Sequence, residues 1–340
     1  MINLQRLSRF AGNLAARGPI YAQIAYSIDS AAPLGGEANW NFWTKQSPVG
    51  LRFARSYPLK STREKYLTSM LKADHASGIE AHYDVSNDFY ALFLDKKYRF
   101  YTCAEFQNGE DTLEKAQERK AEHIRSLLDL EGDEKILELG CGWGSMLKFL
   151  RDRGHRGHLK GVTLSKEQLS YVKDTLGLDA SLSDFVTDPF EGAPYDRIYS
   201  IGAIEHVKPD ELEGLYQKIY DALRPGGLSV HQFFSLELEP YPSAMVASQL
   251  FFPGSLLVMH DVHVKAAEKA GFTVRRDSIH DYRPTLRAWY ERLTGKQEEA
   301  LKLVDLRTYN RYMIFFPVSW LFFQLEEAKL HRIVLEKPVS

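Results

Sequence analysis

The residues best suited to chemistry stand around one glycine-rich run, Leu137-Glu138-Leu139-Gly140-Cys141-Gly142-Trp143-Gly144. A short apolar segment ends at Gly140, and a helix is expected to start near Gly144. Glycines at such a turn let the backbone bend tightly and approach a ligand where a Cβ would clash. The acid Glu138 precedes the first glycine by two residues. A purely phosphate-binding loop gains nothing from a carboxylate there; orienting the loop or meeting a cationic ligand group would. Asp184 ends a later expected strand, where it can accept from an adenine amino group, with Phe185 or its neighbours packing the ring. Many nucleotide-binding sheets end their second strand in an acid that bonds ribose. Here that strand ends Val162-Thr163-Leu164-Ser165, so the neutral Thr163 and Gln168 are the candidates for that work. Some residues elsewhere have ordinary readings when taken singly: Cys103 as a buried thiol, His206 beside Glu205 as a helix-start residue, His231 as a core histidine and Tyr282 as a core or surface tyrosine.

The elements that must position these residues follow from periodicity. From Lys135 onward, short apolar runs alternate with helical patterns, as in a doubly wound sheet. The expected strands are 135–140, 159–164, 179–185, 195–203, 228–234, 272–281 and 331–337. Helices are expected over 144–152, over 166–176 with Ser165 as N-cap, over 209–223 with Pro209 in an early position, and over 285–293. Arg224-Pro225-Gly226-Gly227 reads as a turn into the fifth strand. Residues 1–27 carry Arg6, Arg9 and Arg17 on a helix with Leu4, Leu7, Phe10, Leu14 and Ile20 at helical spacing. That pattern suits docking on the main domain or contact with an anionic lipid surface. Met313–Leu325 is the most apolar window; it is too short to span a bilayer and reads as a buried helix.

Composition narrows the partners. The chain has 340 residues, 44% hydrophobic and 26% charged, with a net charge of -2 that offers no basic footprint for nucleic acid. Its two cysteines lack the spacing of a disulfide framework or zinc site. His260, Asp261 and His263 lie close in sequence, but no third or fourth ligand is evident by spacing, so no metal is expected.

The flanking motifs are more specific. AHYDVSNDFYALFLD, FYTCAEF, DTLEKAQERK, LELGCGWGS, VTLSKEQ, DRIYSIGAIEHV, RPGG and DYRPTLRAWYERL occur in that order. The series closely resembles the cyclopropane fatty acid synthase family, which includes the mycolic acid cyclopropane synthases, over roughly Ile79 to Lys337. The resemblance implies an α/β fold: a Rossmann-like seven-stranded sheet dependent on S-adenosylmethionine (SAM), with a helical acceptor lid. On that basis residues 1–75 are a helical N-terminal extension and 76–340 the methyltransferase domain, with a lid insertion at about 235–270. It further implies a bicarbonate ion beside the SAM methyl group, with Cys103, Glu205, His231 and Tyr282 around the ion. Tyr101, Thr102, Gly140, Gly142, Thr163 and Gln168 are implied SAM contacts, and His82 and Tyr83 wall residues. Glu138 and Gly144 complete the loop, and Asp184 the adenine end.

The implied activity is methyl transfer to the cis double bond of an acyl chain, within a phospholipid, by a cytoplasmic enzyme that touches the inner face of the membrane. A cyclopropane, a methylene group and a methyl branch are all open as products. The alternatives are a small-molecule C- or N-methyltransferase and a SAM-binding protein without turnover. Two places depart from the family. Phe233 stands where a smaller residue is usual. The run Phe252-Pro253-Gly254-Ser255-Leu256-Leu257 lacks the usual second Pro-Ser of the lid.

Overall fold

The computed structural model describes residues 4–47, 50, 55–70, 86–107 and 111–339. His82 and Tyr83 lie outside them. The chain divides into two compact units, one made of Leu94–Glu237, Leu257–Asp281 and Lys329–Ser340, the other of Met1–Phe93, Leu238–Leu256 and Tyr282–Ala328. The segment expected as one insertion is thus shared between them.

The first unit carries the sheet: β1 (Ile136–Leu139), β2 (Leu159–Thr163), β3 (Asp179–Leu182), β4 (Tyr195–Ile201), β5 (Leu223–Leu236), β6 (Thr273–His280) and β7 (Ala328–Glu336). Its order is β3-β2-β1-β4-β5-β7-β6. β1 pairs parallel with β2 and β4, β2 with β3 and β4 with β5, whereas β6 and β7 run antiparallel. β1, Ile-Leu-Glu-Leu, is buried along its whole length, as a parallel strand covered on both faces must be. Successive residues serve opposite faces: Ile136 packs with Ile124, Phe149 and Leu150, while Leu137 and Leu139 pack with Tyr216 and Ile219. Each such buried side chain contributes about 1.5–3 kcal/mol. The strand order reverses between β1 and β4, so a crevice opens at their carboxyl ends. There Leu139 pairs with Ser200, which brings Gly140 and the residues after Ile201 out side by side.

Three local readings differ from the sequence expectation. Arg224-Pro225-Gly226-Gly227 is not a turn before β5 but a bulge inside it. Tyr195 opposes Leu223 and Arg197 opposes Leu228, so the bulge lies across from Asp196. Arg224 pairs with Asp196 at 2.7 Å, and Gly226, at φ +75°, donates to Lys337 O at 2.8 Å. Pro209 precedes its helix, which begins at Leu212. The second crossover helix is α-helical over Lys166–Ser170 and widens to π geometry over Tyr171–Thr175. Ser165 caps it as expected, accepting from Gln168 N.

The second unit is helical. The N-terminal pattern forms two helices, Leu4–Arg17 and Pro19–Ile28, parted at Gly18. The last helix, Leu306–Gln324, contains Pro317, which has no N–H to give to Met313 O. Asn39 Nδ2 donates to that carbonyl at 3.0 Å instead. The apolar window is therefore a packed helix, with Tyr312, Met313, Ile314 and Phe316 buried. Among the described residues no helix is long and apolar enough to cross a membrane.

Candidate active site

The glycine loop leaves β1 and enters the Ser145–Asp152 helix. Gly140 has φ +71°, and a Cβ there would come within 2.6 Å of Ala203 Cβ. The loop therefore lies flush against the segment leaving β4. Gly142 also has positive φ, +55°, and among the described residues, its chain neighbours aside, no atom lies within 4 Å of a Cβ built on it. Open space at a glycine whose neighbours are packed is where a ligand can approach the backbone. Gly144, also at positive φ, is the N-cap.

Glu138 is buried below this loop. It accepts from Tyr199 Oη at 2.9 Å and from the Leu147 backbone N–H, and burial pushes its pKa up to about 8. Its partners tie β1, β4 and the following helix together, which is the loop-orienting half of the expected role. At the end of β2, Thr163 Oγ1 donates to Gln168 Oε1 at 2.8 Å and accepts from Ser165 N. That orients the Gln168 amide with its NH2 group left over for a ligand. Asp184 accepts from Val186 N at 2.8 Å, a turn contact. Phe185, beside it, approaches the position of Gly140.

The residues after β4 hold the most unusual group. Gly202, at φ +73°, donates to Gln232 O at 2.8 Å; a Cβ on it would lie 3.0 Å from Thr102 and 3.7 Å from Glu205 Oε1. Glu205 sits in the single turn Ile204–His206 and is 4% exposed. Its Oε2 is buried without a hydrogen-bond partner, and desolvation raises its pKa to about 8. At neutral pH it is a protonated acid in a dry place, able to donate. Cys103 is buried, its thiol directed at Ala104 O and Asp281 O at 3.3 and 3.5 Å. Tyr101 lies beside Thr102 and is half-buried.

His231 is bonded on both ring nitrogens. It is fully buried, with Nδ1 2.8 Å from Ser200 Oγ and Nε2 2.7 Å from Ser229 Oγ. Ser229 spends its proton on Ile198 O, so it must accept from Nε2–H, and Ser200 donates to Nδ1. Burial lowers the pKa to about 3, so the ring is neutral. Neither nitrogen as placed is left for an ion. The next residue, Gln232, has its Oε1 bonded by Arg332, while its buried Nε2 has no partner. Tyr282 belongs to the helical unit, just before the Arg283–Thr294 helix, with its ring against Trp289 and Phe323.

Lys120 and Gln117 were not singled out by sequence. Lys120 Nζ donates to Thr102 Oγ1 at 2.9 Å, lies over the Phe100 ring, and is lowered by burial to about 7. Gln117 donates to Thr102 O at 2.8 Å. Both stand on the buried face of the Leu113–Leu127 helix with Leu113, Ala116, Ala121 and Ile124. Polar residues in the apolar stripe were the available signal.

The family description mycolic acid cyclopropane synthetase matches residues 71–333. The chain belongs to that family. It is a SAM-dependent methyltransferase. It is 31% identical to a probable fatty acid methyltransferase of Pseudomonas putida over 283 residues, covering 79% of this chain and 71% of that one. It is 34% identical to the hydroxymycolate synthase MmaA4 of Mycobacterium tuberculosis over 256 residues, 69% of this chain and 84% of that one. Among solved structures, the mycolic acid cyclopropane synthase CmaA1 complexed with SAH and CTAB aligns with a TM-score of 0.70 at 27% identity, covering 78% of this chain and 99% of that one.

Proposed function

We propose that this methyltransferase carries the methyl group of SAM to the cis double bond of an unsaturated fatty acyl chain borne by a phospholipid. The relatives named for fatty acids and mycolates support an acyl acceptor, as does the CTAB of CmaA1, a molecule with one long alkyl chain. On this reading Tyr101, Thr102, Gly140, Gly142, Gly144, Thr163, Gln168 and Asp184 contact SAM, and Glu138 braces the loop.

An alkene is a weak nucleophile, so the chain must hold it in line with the electrophilic methyl at near-attack distance. Attack forms a new C–C bond, breaks the S–CH3 bond and leaves a carbocation, which water would quench. Loss of a proton from the transferred methyl closes a cyclopropane; a hydride shift followed by loss of a methyl proton gives a methylene chain, and loss of a proton from the acyl chain instead leaves a methyl-branched alkene. The observation that carries an acid–base role is the buried Glu205 oxygen without a partner. The ion implied by the family fits that group. Glu205 as a protonated donor, and the Gln232 amide fixed by Arg332, would hold a bicarbonate that supplies a base for the departing proton. The resemblance assigns Cys103 and Tyr282 to the same ion; His231 would act behind it, keeping β4 and β5 in register.

Access to a phospholipid implies a cytoplasmic enzyme that docks on the inner face of the membrane. The Leu4–Arg17 helix, with Leu7 and Arg9 exposed, is the candidate contact. The test is lipid mass spectrometry of a bacterial host expressing the chain, fed methyl-deuterated methionine. A fatty acid gaining a labelled carbon with two deuteriums is expected for a cyclopropane or methylene product, and three for a methyl branch. No labelled lipid in a host rich in unsaturated phospholipid would overturn the acyl reading.

A further inference from the structure

A second cluster of ligating side chains stands on the sheet, at the β6–β7 edge. The pairing of β6 with β7 sets Ile279 opposite His331 and Asp277 opposite Ile333, which makes Asp277 and His331 diagonal neighbours on one face. His260 comes to the same place from the start of the His260–Lys269 helix. His331 Nδ1 lies 3.1 Å from Asp277 Oδ1, and His260 Nε2 lies 2.8 Å from Asp277 Oδ2. The two imidazoles stack with centroids 3.8 Å apart and planes 20° apart, so both present a nitrogen to one carboxylate. The His260 contact is close, yet that nitrogen is buried and makes no well-directed hydrogen bond. The ligand atoms of all three residues lie within 4.8 Å of one another.

What surrounds the three residues decides their chemistry. His331 Nε2 lies 2.9 Å from Glu237 Oε1, and Ser235 Oγ donates to that same oxygen. A carboxylate on one imidazole nitrogen keeps the proton there and leaves the lone pair on the other, the arrangement that orients metal-bound histidines. Phe233, which replaces a smaller residue in the family pattern, lies near-parallel to both rings, with centroids 6.4 Å from His260 and 6.3 Å from His331. Asp277 is exposed, so water reaches the outer side.

We propose that His260 Nε2, His331 Nδ1 and Asp277 form a binding site for one divalent transition-metal ion of the zinc type, with water completing its shell. Two imidazoles and one carboxylate suit zinc, nickel or copper rather than calcium or magnesium, which prefer all-oxygen shells. The ligands come from three elements, so the ion would clip the helix to β6 and β7. Glu105, His123 and His280 also lie within ligand distance of one another. There Arg332 donates to Glu105 and sits 2.7 Å from His123 Nδ1, a fixed positive charge where a cation would have to go.

The test is calorimetric titration of the EDTA-treated, dialysed full chain with zinc chloride, together with the visible absorption of added cobalt. One saturable equivalent is expected, weakened at least about tenfold in His260→Ala and in Asp277→Asn. His158→Ala, which removes the exposed partner of Asp179, should bind like the parent. Circular dichroism and SAM binding report whether each variant is folded; both altered residues reach the surface, and neither belongs to the SAM crevice. No saturable binding by the parent, or unchanged affinity and cobalt spectrum in both folded variants, would overturn the site.

Discussion

Glu205 lies in the turn that follows β4 and His231 on the neighbouring β5, and burial drives both toward the neutral form. It raises the carboxyl to about 8 and lowers the imidazole to about 3, so each is neutral at physiological pH. They differ in what their polar atoms touch. Both nitrogens of His231 are met by serine hydroxyls, whereas Oε2 of Glu205 meets nothing. A buried polar atom without a partner costs about 1–3 kcal/mol, a cost that a bound ligand can offset. Desolvation alone therefore does not mark a functional group; an unmet hydrogen bond inside a desolvated place does.

The sharpest way to break this contrast is to remove each group and read activity and stability separately. Glu205→Ala should lower the turnover of labelled SAM into lipid by about 10²–10⁴-fold, the range of a general acid–base group. Its urea midpoint should stay level or rise, because a desolvated carboxyl is gone. Retention of turnover within a few-fold would take Glu205 out of the reaction and favour an acceptor that needs no base. His231→Ala should show the opposite pattern. A cavity and two stranded serine hydroxyls cost about 2–4 kcal/mol in urea unfolding, while folded enzyme keeps turnover within a few-fold. Lost turnover at unchanged stability would return His231 to the ion.

A pH series refines the same comparison. The His231 pKa is depressed in the fold, so its contribution is present above its unfolded value of 6.5 and is lost as pH falls toward about 3. The stability gap between the parent and His231→Ala should narrow by about 2 kcal/mol between pH 7 and pH 5. A gap constant over that window would mean that the imidazole takes up its proton at the same pH in the fold as in the unfolded chain.

The parts of this chemistry that were legible in the sequence are those written contiguously. Gly140 to Gly144 encode strand end, turn and helix start in five residues, and Ser165 with Gln168 encodes a cap. Parts that depend on pairing across strands were not legible. Whether His231 faces an ion or two serines depends on which residues of β4 lie beside it. His260 was weighed only against its sequence neighbours Asp261 and His263, whereas β6 and β7 bring it Asp277 and His331. The Arg224–Gly227 run carries turn residues, yet Lys337, the residue after β7, pairs with it and holds it in the sheet as a bulge. Lys120 was hidden because a charged residue on a helix is ordinarily solvated, and only its place in the apolar stripe says otherwise.

The smallest expected effect separates the two loop glycines. Gly140 and Gly142 both have positive φ, so alanine at either strains the backbone by about 1 kcal/mol. At Gly140 the new Cβ would also meet Ala203 at 2.6 Å, so β1 and β4 must move apart and stability falls further. At Gly142 the described residues leave the space open, so Gly142→Ala should unfold at nearly the parent's urea concentration. If SAM lies against that backbone, the same methyl takes the cofactor's room, and calorimetry should show SAM binding weakened by more than the strain explains, about tenfold. Equal SAM affinity in parent and Gly142→Ala would place the cofactor away from this glycine. The open space there would then have to be explained by something other than the methyl donor.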